Sequence, residues 1–150
     1  MAPPGLEVVI YDGVGGLPHF NPDDDVESLP PPVVAWREAV TAADGMLVSC
    51  PEYARGIPGS FKNALDWLVS DTGRKKPVAI WNAAPRAVAT QEALRLVLAT
   101  LSSGLVEAAC VTLPASGVSW TADALLADDA VRATLEGALA AFVAALERED

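Results

Sequence analysis

A short loop rich in proline and glycine carries the residues best suited to binding chemistry in this chain. The loop runs from Pro51 to Gly59, between an apolar run and a segment with helical periodicity. Pro51 and Pro58 restrict its backbone, whereas Gly56 and Gly59 allow a ligand to approach the backbone closely. We therefore expect the loop to present backbone N–H and C=O groups, with the flat side chain of Tyr53 beside them.

Backbone groups arranged in this way suit a heteroaromatic ligand. The edge of a flavin ring is a row of hydrogen-bond donors and acceptors, which backbone groups can bind without a charged side chain. The alternative is an ordinary strand-to-helix loop, with Ser60 as the N-cap of the following helix. The loop alone leaves both interpretations open.

The glycines near the N-terminus do not complete a nucleotide-binding motif. The segment from Asp12 to Pro18 is similar to a dinucleotide fingerprint, but Pro18 stands where the third glycine is required, and no helix is expected to follow. A phosphate loop of the type Gly-Lys-Ser/Thr does not occur in the sequence. We interpret these glycines as turn residues.

The remaining reactive side chains give little support for catalysis by a side chain. Cys50 and Cys110 lie in apolar runs and are expected to be buried thiols. A hydrolase that uses Cys50 as its nucleophile stays open as a weaker hypothesis. The single histidine, His19, lies in a different loop, so a Cys-His pair has no support from the sequence. The acidic triplet from Asp23 to Asp25 is interpreted as a solvated loop, so no metal site is predicted.

Charge and hydropathy exclude several classes of function. Ten basic residues stand against twenty acidic ones, giving a net charge of −10, which opposes binding to nucleic acid and to anionic lipid. Apolar runs stay shorter than the roughly 18 residues of a membrane helix, and Met1 is not followed by a leader signal. These features predict a cytoplasmic protein that binds neither membranes nor nucleic acid.

Strand-like and helix-like segments alternate along the chain, which predicts one α/β domain over residues 1–150, with a parallel sheet and helices on both faces. The predicted strands are Leu6–Tyr11, Met46–Cys50, Pro77–Trp81 and Leu105–Leu113. The apolar stripes of the predicted helices are Val33, Trp36, Val40 and Ala43; Phe61, Ala64, Leu65 and Leu68; Leu94, Val97, Leu98 and Leu101; and Val131, Leu135, Leu139, Phe142 and Leu146. Thr90 is the expected N-cap of the third helix.

The segment from Pro51 to Trp67 resembles the most characteristic motif of the NADPH-dependent FMN reductase family, a branch of the flavodoxin-like fold. The segment Leu17–Pro22 is also similar to a loop of that family, and the resemblance covers nearly the whole chain. The motif residues that match in register are Pro51, Glu52, Tyr53, Pro58, Gly59, Lys62, Asn63, Ala64, Leu65, Asp66 and Trp67.

This resemblance implies FMN as cofactor and NADPH or NADH as hydride donor, with a quinone, free flavin or dye as small-molecule acceptor. Because the cofactor carries the chemistry, no catalytic side chain is assigned. Many members carry Asn in place of Ala54 and a glycine-rich stretch in place of Arg86–Thr90. The implied cofactor-binding residues are Pro51, Glu52, Tyr53, Ala54, Arg55 and Gly56 in the first ring loop, and Ala84, Pro85 and Arg86 in the loop after the next strand.

Two further expectations concern partners. Arg55 and Arg86 are candidates to attract the phosphates of the pyridine nucleotide. The family also implies a homodimer or homotetramer that assembles through the helix Ser60–Ser70, with Trp67 exposed toward the partner.

Family members usually begin with one more strand and a loop of the type Gly-Ser-x-Arg-x-x-Ser, which holds the FMN phosphate. We expect the chain to lack this unit, with Met1–Gly5 as the linker that follows it. The missing strand would be central, so Leu6–Tyr11 would lack a neighbour and Met46–Cys50 would expose an edge. Three explanations of the missing unit are open: a start codon set too far downstream, direct pairing of these two strands, or a strand supplied by another chain. We favour the first.

The main hypothesis is therefore an FMN-dependent NAD(P)H oxidoreductase. The alternative is a non-catalytic, oligomerising subunit or remnant that keeps the flavodoxin-like fold without retaining FMN.

Overall fold

The computed structural model describes residues 3, 5–25, 28–69, 76–101, 104–113 and 121–148. The helices are α1 (Pro31–Ala42), α2 (Gly59–Asp66), α3 (Val88–Thr100), α4 (Ala122–Ala127) and α5 (Asp129–Leu146). The strands are β1 (Met46–Val48), β2 (Pro77–Asn82), β3 (Gly104–Leu105) and β4 (Val111–Thr112). Short 3-10 turns lie at Gly13–Gly16, Pro22–Asp24 and Glu107–Ala109.

The strands form a parallel sheet with β2 at its centre. β1 pairs with one edge of β2, in the register Met46 to Val78, and both β3 and β4 pair with its other edge. The chain crosses from β1 to β2 through α2, and from β2 to β3 through α3. Parallel neighbours need such crossover connections, so the alternation expected from the sequence is confirmed.

Helices cover both faces of the sheet, as predicted. Val78 and Ile80 of β2 are buried in a core with α1, α2 and α3, whereas Ala79 and Trp81 face α5. This division follows from the period of two along a strand. Gly45, just before β1, permits α5 to come close, since a Cβ there would lie 2.8 Å from a side-chain carbon of Phe142.

The predicted strand at Leu6–Tyr11 is wrong. The segment is irregular, and its side chains Val8, Val9 and Ile10 are 52%, 79% and 88% exposed. Among the described residues no strand pairs with this segment. Its backbone therefore lacks the interstrand hydrogen bonds that stabilise an extended strand. Tyr11 is the point at which the chain joins the core, since its ring lies 4.9 Å from that of Trp36.

The predicted strand at Leu105–Leu113 is interrupted. The 3-10 turn at Glu107–Ala109 separates β3 from β4, and the amide N–H of Ile80 reaches the Cys110 sulfur at 3.4 Å instead of a backbone carbonyl. Trp81 donates its indole N–H to the carbonyl of Ala109 at 3.0 Å. The apolar run therefore contributes two short ladders where the pattern predicts one long one.

Helix termini differ from the sequence predictions at two positions. α2 begins at Gly59 after Pro58, and the side chain of Ser60 makes no capping hydrogen bond. α3 begins at Val88 after Ala87, so Thr90 lies inside its first turn and is not the N-cap. No helix of the described residues is long and apolar enough to cross a membrane.

Candidate functional site

The first ring loop leaves β1 and closes a tight turn over Tyr53–Gly56. Tyr53 and Gly56 exchange two backbone hydrogen bonds, of 3.1 and 3.0 Å. Ala54 and Arg55 both have positive φ, 49° and 64°, which is the type I′ pattern. The amide groups of Ala54 and Arg55 have no hydrogen-bond acceptor among the described residues, so they remain available to a ligand.

The second ring loop leaves β2 at Asn82, beside the first. The buried side chain of Asn82 accepts a hydrogen bond of 2.9 Å from the amide of Ala84, and the amide of Ala87 donates to the Ala84 carbonyl at 2.8 Å. Ala84, Pro85 and Arg86 are exposed at the resulting turn. Both loops follow the carboxyl ends of adjacent parallel strands, where ligands of open α/β sheets bind.

Thr90 and Glu52 join the two loops. The Thr90 hydroxyl donates to the carbonyl of Gly56 at 2.8 Å, and the Thr90 amide donates to the Glu52 carboxylate at 3.0 Å. The Glu52 side chain is thus engaged by the first turn of α3, while its backbone belongs to the ring loop. Sequence reasoning missed this role of Thr90. The capping propensity of Thr90 pointed to the N-terminus of α3 and did not indicate a contact with the first ring loop.

The surface between the loops is apolar and cationic in places. Tyr53 is 65% exposed, and Arg55 and Arg86 are exposed as well. A separate, open cavity of about 350 Å³ lies along α1, and none of the predicted cofactor-binding residues lines it. Its lining residues are Leu29, Val34, Arg37, Glu38, Thr41 and Ala42.

The prediction that Trp67 is exposed toward a partner is wrong. Trp67 is fully buried, packs edge-on against Phe20 with ring centroids 5.0 Å apart, and donates its indole N–H to the Pro18 carbonyl at 2.9 Å. Arg37 lies over the same ring and donates to the Trp67 carbonyl at 2.8 Å. Trp67 therefore serves internal packing, because a loop distant in sequence covers the side that helical periodicity left open.

Asn63 fastens the same loop. Its side-chain oxygen accepts from the Phe20 amide at 2.7 Å, and its side-chain nitrogen donates to the Pro18 carbonyl at 2.9 Å. Lys62 and Asp66 form an ion pair of 2.5 Å one turn apart on α2. The second half of the recognised motif thus holds the loop Leu17–Pro22 onto α2, while its first half forms the ring loop.

Cys50 is buried, and its thiol donates to the Pro51 carbonyl at 3.4 Å. Burial raises the pKa of the Cys50 thiol above its ordinary value of 9.0. A raised pKa lowers the fraction of thiolate at neutral pH, which is the opposite of what a nucleophilic cysteine requires. These observations disfavour the hydrolase hypothesis.

The donor set of the two loops fits the ring of a flavin. Free amide groups of Ala54 and Arg55 can donate to ring oxygens, and the exposed Tyr53 ring offers a flat contact. These groups are therefore chemically compatible with a flavin ring.

The family model for NADPH-dependent FMN reductase matches residues 1–117. The chain belongs to this family. Membership establishes an oxidoreductase family whose cofactor is FMN and whose electron donor is NADPH or NADH, as the sequence resemblance implied.

Two similar proteins support the assignment to this family. An NAD(P)H-dependent FMN reductase of Pseudomonas aeruginosa is 31% identical over 95% of this chain and 80% of its own length. A quinone reductase of Escherichia coli K12 is 36% identical over 45% of this chain, and the aligned part is 37% of that protein. The match to the quinone reductase thus covers less than half of either protein.

The solved structure of FerB from Paracoccus denitrificans, a flavoenzyme NAD(P)H:(acceptor) oxidoreductase, superposes with a TM-score of 0.67. The two are 29% identical, over 90% of this chain and 78% of FerB. The flavodoxin-like fold class, with a parallel sheet between helices, is confirmed.

Proposed function

We propose that this NADPH-dependent FMN reductase family member passes electrons from NADPH or NADH to a quinone, with FMN seated on the two ring loops. When bound, FMN would supply two-electron chemistry, in which a hydride from NAD(P)H and one proton from solvent reduce a quinone to the hydroquinone and leave NAD(P)⁺. The observation that carries the proposal is the pair of free amide groups at Ala54 and Arg55, held in a type I′ turn at the carboxyl end of β1.

The protein's own part is to bind and orient. The predicted set from Pro51 to Gly56 forms one wall of the ring site, and Ala84, Pro85 and Arg86 form the other. The amides of Ala54 and Arg55 would hold the oxygens of a bound ring by hydrogen bonds and would stabilise negative charge there. Tyr53 limits access of water to one side of the site.

The pyridine nucleotide brings negative charge to a chain whose net charge is −10. Arg55 and Arg86 are exposed cations on the two ring loops, so we assign them to the nucleotide phosphates. The quinone acceptor is proposed by likeness to the quinone reductases, whereas free flavin and dyes stay alternatives from the sequence.

Assembly and location are part of the proposal. Gly59, Ser60 and Val69 are exposed at the two ends of the segment around α2, which leaves a surface for a homodimer or homotetramer without Trp67. Ser70, the last residue of the predicted Ser60–Ser70 helix, lies outside the described residues, as does most of the predicted linker Met1–Gly5. The cytoplasmic location stays a prediction.

The experiment is a pair of measurements on the full chain. Purified protein is titrated with FMN, followed by flavin fluorescence, and NADPH consumption is then measured with a benzoquinone acceptor. We expect saturable FMN binding and NADPH consumption that requires protein, FMN and quinone together.

A matched pair of variants locates the site. Tyr53→Ala removes an exposed ring, and Val69→Ala removes a side chain of similar exposure, 62%, beyond the end of α2. We expect Tyr53→Ala to weaken FMN binding by about three- to tenfold and Val69→Ala to leave it unchanged. No rise in melting temperature at high FMN would instead favour the non-catalytic, oligomerising alternative.

A further inference from the structure

We propose that Thr90 and Glu52 are positioning residues that hold the ring turn in its left-handed conformation and thereby set the affinity for FMN. The identity of the ligand rests on the proposed function. The conformational part of the inference concerns the protein alone.

The ring turn has no intrinsic reason to adopt its shape. A type I′ turn places both central residues at positive φ, and Asn-Gly is the sequence that favours it. Here the central residues are Ala54 and Arg55, with φ of 49° and 64°. A side chain in this region clashes with its own backbone, so the conformation must be stabilised from outside the turn.

The hydroxyl of Thr90 is one such contact. Thr90 is fully buried, and its hydroxyl donates at 2.8 Å to the carbonyl of Gly56. The same carbonyl accepts the amide of Tyr53 at 3.1 Å, which closes the turn. If the turn relaxed, the Gly56 carbonyl would move and leave a buried hydroxyl without a partner, which is unfavourable.

The carboxylate of Glu52 is the second contact. Thr90 is the third residue of α3, so its amide is one of the donors that lack a partner within the helix. Glu52 accepts that amide at 3.0 Å and places negative charge at the helix N-terminus, where it is favourable. The residue before the turn and the residue that ends it are thus both fixed to Thr90.

These contacts also relate the two ring loops to each other. α3 begins at Val88, directly after the second ring loop with its turn at Ala84. Because Thr90 holds the first ring loop, the amides of Ala54 and Arg55 keep a constant position relative to the second loop. A ligand that binds between the loops then meets a preorganised site, which raises affinity without any contact to Thr90 itself.

The test compares Thr90→Val, which keeps the shape but removes the hydroxyl, with Thr90→Ser, which retains it. Thr100→Val is the matched control, since Thr100 lies on the same helix and its hydroxyl donates to the Leu96 carbonyl on the exposed side. Two quantities are measured in each full-length variant: hydrogen exchange of the Gly56 amide without ligand, and the Kd for FMN.

We expect Thr90→Val to speed exchange of the Gly56 amide and to raise the Kd for FMN, each by about tenfold. Thr90→Ser and Thr100→Val should stay within about twofold of the original protein. Glu52→Ala should resemble Thr90→Val, and Glu52→Gln, which keeps an acceptor oxygen, should recover part of the loss.

A double-mutant cycle separates positioning of the turn from general loss of stability. In a background with Ala54→Asn and Arg55→Gly, the turn prefers type I′ by itself, so Thr90→Val should now change the Kd for FMN by less than threefold. An equally large effect of Thr90→Val in both backgrounds would overturn the inference, as would unchanged Gly56 exchange in Thr90→Val.

Failure of the proposed function gives a different result. If the original chain binds no FMN but Thr90→Val still speeds Gly56 exchange, the ligand assignment is wrong and the positioning contact stands. If the chain binds FMN but Thr90→Val alters neither quantity, the positioning role is wrong and the proposed function stands.

Discussion

The indole N–H of Trp67 donates a hydrogen bond of 2.9 Å to the carbonyl oxygen of Pro18. The same carbonyl accepts the side-chain amide of Asn63, so two residues of the family motif hold one loop at one atom. The motif around α2 therefore includes two residues that hold the loop Leu17–Pro22 against the helix, in addition to the turn at Tyr53–Gly56.

Replacement of Trp67 by Phe should destabilise the fold. The change removes the hydrogen bond to Pro18 and part of a fully buried ring, which together cost about 1–3 kcal/mol in the free energy of unfolding. Urea unfolding followed by circular dichroism measures this. Tyr53→Phe, at a largely exposed ring, should change the free energy by less than about 0.5 kcal/mol. Equal urea midpoints for Trp67→Phe and Tyr53→Phe would contradict this stabilising role of Trp67.

Ala54→Gly should stabilise the protein. Glycine adopts the φ of 49° without a steric cost, and this gain exceeds the added entropy of the unfolded chain by about 0.5–1 kcal/mol. For a chain of this size the melting temperature should rise by about 2 °C. Ala83→Gly, in the other ring loop where φ is not positive, should lower the melting temperature slightly. A fall in melting temperature for Ala54→Gly would mean that the turn is not left-handed.

The thiol of Cys50 should react slowly with alkylating reagents in the native state. Burial raises its pKa above 9.0, so little thiolate forms at neutral pH. Mass spectrometry after iodoacetamide treatment compares native and unfolded protein at this position. Rapid modification of Cys50 in the native protein, with loss of activity, would revive the hydrolase hypothesis.

The same raised pKa has a consequence for stability at alkaline pH. Above about pH 9 the unfolded thiol loses its proton while the buried Cys50 thiol keeps it, so the folded state binds more protons. Stability therefore falls as the pH rises through the pKa of the unfolded thiol. Cys50→Ala should remove this part of the pH dependence in thermal unfolding between pH 8 and about pH 10.

Neutralisation of Arg55 and Arg86 should weaken binding of the pyridine nucleotide. The double replacement Arg55→Gln and Arg86→Gln should raise the KM for NADPH about tenfold while the Kd for FMN changes little. The KM of the original protein should rise with ionic strength, and that of the variant should rise less. Arg148→Gln, near the C-terminal end of α5, serves as the control for general loss of positive charge. An unchanged KM for NADPH in the double variant would contradict the assignment of Arg55 and Arg86 to the nucleotide phosphates.

Periodicity predicted the parts of the fold that depend on one face of one element. The stripe Val33, Trp36 and Val40 is buried on α1, and Leu94, Leu98 and Leu101 are buried along α3 and at its end, as expected. The central strand β2 was also predicted, because a continuous apolar run bounded by polar residues is typical of a strand covered on both faces.

Periodicity could not predict which distant segment covers an element. Trp67 lies just past the end of α2, where the stripe no longer applies, and its cover comes from Pro18 and Phe20. Val9 and Ile10 have the composition of a strand, but strand formation requires a neighbour. Thr90 has the composition of a cap, yet its partner is the Gly56 carbonyl on another loop.

The candidate site likewise has a part that the sequence predicted and a part that it did not. The ring loop and its motif were identifiable because the run Pro51–Trp67 resembles the family motif, whereas the loop residues alone left two interpretations open. The left-handed conformation of Ala54 and Arg55 was not, because neither residue favours it and the contacts that hold it are long-range.

The most direct test of the ring site is a titration of the isotope-labelled full chain with FMN, followed by the amide resonances. We predict that the amides of Ala54, Arg55 and Ala84 shift with one common Kd, whereas those of Thr134 and Ala138 on α5 stay in place. Saturating FMN that moves the α5 resonances and leaves the three loop amides unmoved would contradict a flavin ring site at the carboxyl ends of β1 and β2.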